Sequence, residues 1–185
     1  MTTDDAAQRP PAMDDHAGLP AARPAAGGHG FEGQLEFAQA LRDAMIDACE
    51  RRTRRLCWCD EDFAAWPIGE ADWVSQLTQW ARTGGRELVL IARDYALLER
   101  RHPRFVAWRR DWTHVIRCLA PDESRTDALP TLWIDSDDQA LRVFDREHLR
   151  GRIGFDRVDR QRAREDFDAI LQRANSAFSA VTLGL

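Results

Sequence analysis

The stretch "RLCWCDEDF" at residues 55–63 places two cysteines and three acids within seven positions of one another. On a strand, residues two apart share a face, so Cys57 and Cys59 could reach one ion. Zinc takes about four ligands, and Cys118 with a histidine would have to complete the set. The usual pair of Cys-x-x-Cys motifs is absent, and free cysteine packs as a small hydrophobe. Cys57 and Cys59 are thus weak metal candidates, and core packing is the expectation. The acids read differently. Asp60 and Asp62 follow an apolar run, and Asp135 ends another, with Asp137 and Asp138 beyond it. Carboxylates converging from strand ends would suit Mg²⁺. Solvated turns explain the same residues, since Asp favours turns through its own hydrogen bonds. A third cluster, "RRHPR", brings Arg100, Arg101, His102 and Arg104 together. Guanidinium forks match phosphate oxygens, and His102 could move protons; ion pairing on solvated helix faces competes with that reading.

Charge is segregated along the chain. Residues 93–117 hold seven arginines against three acids, and residues 142–164 hold eight against four. Residues 60–72 carry five acids and no arginine, and residues 122–138 carry six acids and one arginine. The formal net charge is −5, so a nucleic-acid partner is not expected, because such domains are usually basic. All 26 basic residues are arginine, which removes every lysine-dependent motif. Four scattered cysteines do not make a disulfide framework, so reduced thiols and a cytoplasmic protein are expected. No apolar run reaches the roughly 18 residues of a membrane span.

The elements that must position these groups follow from periodicity. Residues 1–30 are rich in Ala, Pro, Gly and Asp and are expected to form a disordered tail before one α/β domain at 31–185. Leu35, Ala38, Leu41, Met45 and Ala48 recur at helical spacing. Residues 55–59 and the uniformly apolar 87–92 read as buried strands. Trp73, Leu77 and Trp80 mark a second helix, Tyr95 to Leu98 a helical turn, and Phe105, Trp108 and Trp112 a further stripe behind Pro103. Strands are expected at 115–119, 131–135 and 140–144, the last two around the turn "SDDQ", and a helix at 158–174. Alternating helices and strands predict an α/β fold: a mixed, largely parallel sheet with helices on both faces. The seven tryptophans are expected mostly in the core, with an exposed subset marking an interface as the alternative.

This element order, with "RELVLIARDYALLERRHPRFVAWRR", the hairpin strands after it and the ending "AFSAVTLGL", resembles a half-domain of the phospholipase D superfamily. More narrowly, it is similar to an uncharacterised proteobacterial group with a degenerate fold of that kind. The superfamily motif is His-x-Lys followed four residues later by Asp. With Asp137 in the place of that Asp, Pro130 and Leu132 stand where His and Lys should be. The resemblance implies the scaffold without the activity, and a lone half-domain implies a homodimer. The resulting expectation is a non-catalytic binding or scaffold domain for an anionic or phosphate-bearing ligand, without a cofactor. Its candidate contacts are Asp60, Asp62, Asp135, Arg100, Arg101, His102 and Arg104. The alternative is a metal-dependent phosphoesterase or nuclease using Asp60, Asp62 and Asp135, and a thiol or zinc sensor built on Cys57 and Cys59 is a third reading.

Overall fold

The computed structural model describes residues 28–122, 124–137, 139–154 and 156–178. In chain order the elements are β1 (His29–Phe31), α1 (Gly33–Glu50), β2 (Arg55–Asp60), α2 (Ala71–Arg82), β3 (Glu87–Ala92), α3 (Tyr95–Arg101), α4 (Pro103–Asp111), β4 (Ile116–Ala120), β5 (Leu132–Asp135), β6 (Ala140–Asp145), β7 (Arg150–Ile153), α5 (Arg157–Leu171) and β8 (Asn175–Ser176). The strands form one sheet in the order β1-β7-β6-β5-β2-β3-β4-β8. The helices follow from their patterns. Pro103 occupies the first turn of α4, where its missing N–H costs nothing. The Asp156 carboxylate accepts from the N–H groups of Val158 and Asp159 and so caps α5.

The α/β architecture is as expected, but the sheet is not largely parallel. β2 pairs parallel with β3 and β3 with β4, while β1–β7, β7–β6, β6–β5, β5–β2 and β4–β8 are antiparallel. Uniform apolarity records that both faces of a strand are covered; it carries no record of strand direction. The strand β1 also reaches back into the segment expected as tail, since His29 and Gly30 pair with Ile153 and Arg152. Residues 1–27 and 179–185, with Asp138, lie outside the described residues.

Alternation along the strands sorts the core into two layers. Leu56, Trp58, Leu90, Cys118 and Trp133 face α1, α2 and α4. Cys57, Cys59, Val89, Ile91 and Ile134 face Ala163, Phe167 and Ile170 of α5. Trp58 is fully buried at the centre of the first layer, with ring centroids 5.2 Å from Trp133 and 5.8 Å from both Trp66 and Trp73. The Trp80 indole N–H donates to the Thr53 carbonyl at 2.7 Å. The indole N–H groups of Trp58, Trp66, Trp73, Trp108 and Trp133 have no oxygen or nitrogen acceptor. Edge-on contacts such as Trp73 on Trp133, at 6.0 Å and 83°, account for how such a cluster packs.

Candidate functional site

The strand-end acids do not meet. Because β5 runs antiparallel to β2, Asp135 pairs with Leu56, four positions before Asp60. At about 3.3 Å per residue the two carboxylates sit roughly 13 Å apart along the sheet. Among the described residues no group of three metal-ligating side chains converges. The requirement of the Mg²⁺ reading was one shared cleft, and the antiparallel pairing removes it.

Each acid is instead a structural centre. Asp60, 4% exposed, accepts from the N–H groups of Asp62 and Phe63 at 3.0 Å each, from the Thr131 hydroxyl at 2.5 Å and from Arg146 at 3.1 Å. Asp62 accepts from the Ala64 N–H and from the same Arg146 nitrogen. Asp135 accepts from the N–H groups of Asp137 and Gln139 and from Arg51, tying the β5–β6 turn to the end of α1. Burial pushes its carboxyl above the usual range, against the pull of those donors. The turn expected at "SDDQ" is present at Ser136 and Asp137, but Asp135 ends β5 and is 1% exposed, so a solvated turn does not describe it.

The "RRHPR" cluster does not face these acids. His102, buried at the α3–α4 junction, has Nε2 3.0 Å from the Phe63 carbonyl, so the neutral ring donates there. Burial holds its pKa below the ordinary value. A Cβ on Gly69 would lie 2.7 Å from His102 Nδ1, so only glycine permits this contact. Arg101 and Arg104 reach the carbonyls of Ala64 and Gly69 at 3.4 and 3.5 Å. This segment thus clamps the loop after β2, and His102 is a packing residue, unavailable for acid–base work.

The thiols separate as well. Cys57 and Cys59 point into the α5 layer, whereas Cys118 points into the opposite one. Burial pushes the Cys57 thiol up to about 11 and the Cys59 thiol higher still. Cys118 accepts from the buried Arg109 Nε at 3.1 Å, and the guanidinium lies 4.0 Å over the Phe178 ring. A zinc site joining Cys57, Cys59 and Cys118 is incompatible with the sheet parity.

The groove that sequence reasoning missed lies between α2 and α4. It is a shallow groove of about 680 Å³, open to solvent, lined by Val74, Thr78 and Arg82 of α2, by Arg104 and Asp111 of α4, and by Trp112 and His114 beyond. Helical spacing explains the wall: Arg104, Ala107, Trp108 and Asp111 fall on one face of α4. Residues 100–117 hold six arginines and one acid. Arg82, Arg100, Arg104 and Arg110 are exposed. Among the described residues, the Arg82, Arg100 and Arg110 side chains carry no ion pair or hydrogen bond. Trp112 is half-buried and His114 exposed, so the "exposed subset" of the tryptophans comes down to Trp112. The available signal was the polar flank "RRDWTH" around it.

The other arginine run is neutralised only in part, and its Arg157 and Arg162 are exposed with no ion pair or hydrogen bond among the described residues. Arg142 pairs with Asp166 at 2.7 Å, Arg146 with Asp60 and Asp62, and Arg150 with Glu32 at 2.9 Å.

No protein-family model matches the chain, and no curated protein matches it. Among solved structures, the fold is similar to that of TrmBL2, an archaeal chromatin protein described as showing a novel mode of DNA binding. The TM-score is 0.56 at 10% identity, over 88% of this chain and 57% of that one. The chain thus spans little more than half of that protein's length. This likeness corrects two expectations from the sequence: that the chain is a non-catalytic scaffold for an anionic or phosphate-bearing ligand, and that nucleic acid is no partner. The architecture is one that a DNA-binding chromatin protein also uses.

Proposed function

We propose that this chain is a nucleic-acid-binding domain that contacts phosphates through the arginines of α2, α3 and α4. The observation that carries the reading is the unneutralised set Arg82, Arg100 and Arg110, with Arg104 at the groove wall. Exposed guanidinium groups without acidic partners can neutralise backbone phosphates and release their counterions. The shared architecture with a DNA-binding chromatin protein supports the same reading. The net charge of −5 does not oppose it, because charges much more than about 10 Å from these arginines are largely screened from them by physiological salt.

The test is binding of the full chain to a labelled 20-base-pair duplex and to its single strand between 50 and 200 mM salt. Four phosphate contacts predict a log–log salt slope of about −3 to −4 for the duplex. Glutamine at Arg82, Arg100, Arg104 and Arg110 together should flatten that slope and abolish binding at the higher salt. A chain that binds neither probe at 50 mM salt, or whose quadruple variant binds as before, refutes the proposal.

Kinship with the degenerate phospholipase D-like half-domains is a separate proposal about descent. It is supported by the element order, and it assigns no ligand. Superposition on a solved half-domain with a different strand order would refute it.

A further inference from the structure

Four rings form a graded series from the core to the groove. Phe105 is fully buried and Trp108 is 4% exposed, Trp112 is half-buried, and His114 is exposed. Neighbouring centroids are 5.8, 6.0 and 5.6 Å apart, with interplanar angles of 22°, 16° and 32°. The outermost two rings and both Arg82 and Arg104 line the same groove. A run of roughly parallel rings that is packed at one end and open at the other is built to be extended by one more flat ring.

We propose that the α2–α4 groove takes a single strand of nucleic acid, an unstacked base stacking against His114 or Trp112 while Arg82 and Arg104 hold the adjoining phosphates. This rests on the nucleic-acid reading above and narrows it to unpaired strands. Every base has a π-face, so such a site is tolerant of sequence. In a duplex those faces are covered by neighbouring bases, so a closed helix offers the groove only its phosphates.

The experiment compares a mixed-sequence 12-nucleotide DNA strand with its duplex by fluorescence anisotropy, using the full chain at 50 mM salt. The single strand should bind about tenfold tighter, the scale of one base–aromatic stack. His114→Ala, an exposed substitution that the fold tolerates, should reduce that preference at least about fivefold; Trp112→Ala should reduce it further, with quenching of Trp112 emission on binding lost. Arg82→Gln with Arg104→Gln should weaken both probes. Equal binding of strand and duplex, or a preference that survives His114→Ala and Trp112→Ala together, overturns the inference and leaves the nucleic-acid reading standing. Absence of binding to either probe removes both.

Discussion

Replacing Asp60 by alanine separates a structural carboxylate from a ligand site. The substitution leaves three protein donors facing an empty position: the buried Phe63 N–H, the buried Thr131 hydroxyl and the partly buried Asp62 N–H. Each buried donor without a partner costs about 1–3 kcal/mol. The Asp62 N–H lies nearer solvent, and Thr131 can rotate toward another acceptor, so the upper limit is not reached. Arg146 is 42% exposed and regains water, so its share is discounted to under about 1 kcal/mol. The sum is about 4 kcal/mol, a large part of the roughly 5–15 kcal/mol that holds a domain together. Asp60→Asn keeps Oδ1 as acceptor for the two N–H groups and for Arg146, loses the charge of that ion pair, and replaces the oxygen that accepts from Thr131 by an amide NH2, for about 1–2 kcal/mol. Urea unfolding monitored by tryptophan emission reads both. Millimolar Mg²⁺ should not shift the midpoint of the unsubstituted chain. An Asp60→Ala protein within about 1 kcal/mol of the parent, or a parent stabilised by Mg²⁺, refutes the structural role.

His102 predicts a pH dependence of stability. Burial lowers its pKa in the folded chain below the ordinary 6.5, so the unfolded chain binds the proton first on acidification. Its contribution is full above pH 6.5, falls as the pH drops from there toward the folded value, and is flat below it. The difference in Tm between pH 7.5 and 5.5 should shrink in His102→Gln, and an unchanged difference would refute the assignment. The cysteines predict graded reactivity. Burial raises Cys57 and Cys59 well above neutral pH, whereas Cys49 is only partly covered, so native labelling at pH 7.5 should modify Cys49 first, with the other three released on unfolding. Rapid labelling of Cys57 or Cys59 would contradict their burial, and protection of Cys118 together with both by added zinc would contradict the parity of the sheet.

Where local pattern decided structure, the sequence was readable. The run 87–92 is a strand over the same residues, and the tryptophan stripe from Trp73 lies in α2. The strands that escaped it are β1, β7 and β8, only two to four residues long. "HGF", "RGRI" and "NS" have no apolar alternation; their conformation comes from a neighbour at the sheet edge. Partner choice was equally opaque. Thr131 reaches Asp60 across 71 positions and Arg146 across 86, distances at which composition offers no preference. Trp112 was read with Trp108 as one core stripe, and helical spacing does hold for Trp108. By Trp112 the helix has ended at Asp111, so the periodicity no longer fixes which side the ring faces.

The same network explains why the expected ligand position is closed. Open α/β sheets bind beyond the carboxyl ends of their parallel strands, and β2 and β3 both end at that edge here. Arg93, just past β3, donates to the carbonyls of Arg125 and Asp127 and pairs with Glu61 at 2.9 Å, while Glu61 accepts from the Leu129 N–H. The chain's own 125–129 segment is thereby fastened across the crevice, with Glu61 as the acid spent in fastening it. Acids spent in this way cannot screen arginines elsewhere, because charges much more than about 10 Å apart are largely screened from one another by physiological salt. The surface of α3 and α4 therefore behaves by its local count of four exposed arginines (Arg100, Arg101, Arg104 and Arg110) to two exposed acids (Glu99 and Asp111), whatever the sign of the whole chain. A formal charge of −5 describes migration of the protein in a field; the affinity of one face for phosphate is set within a Debye length of that face.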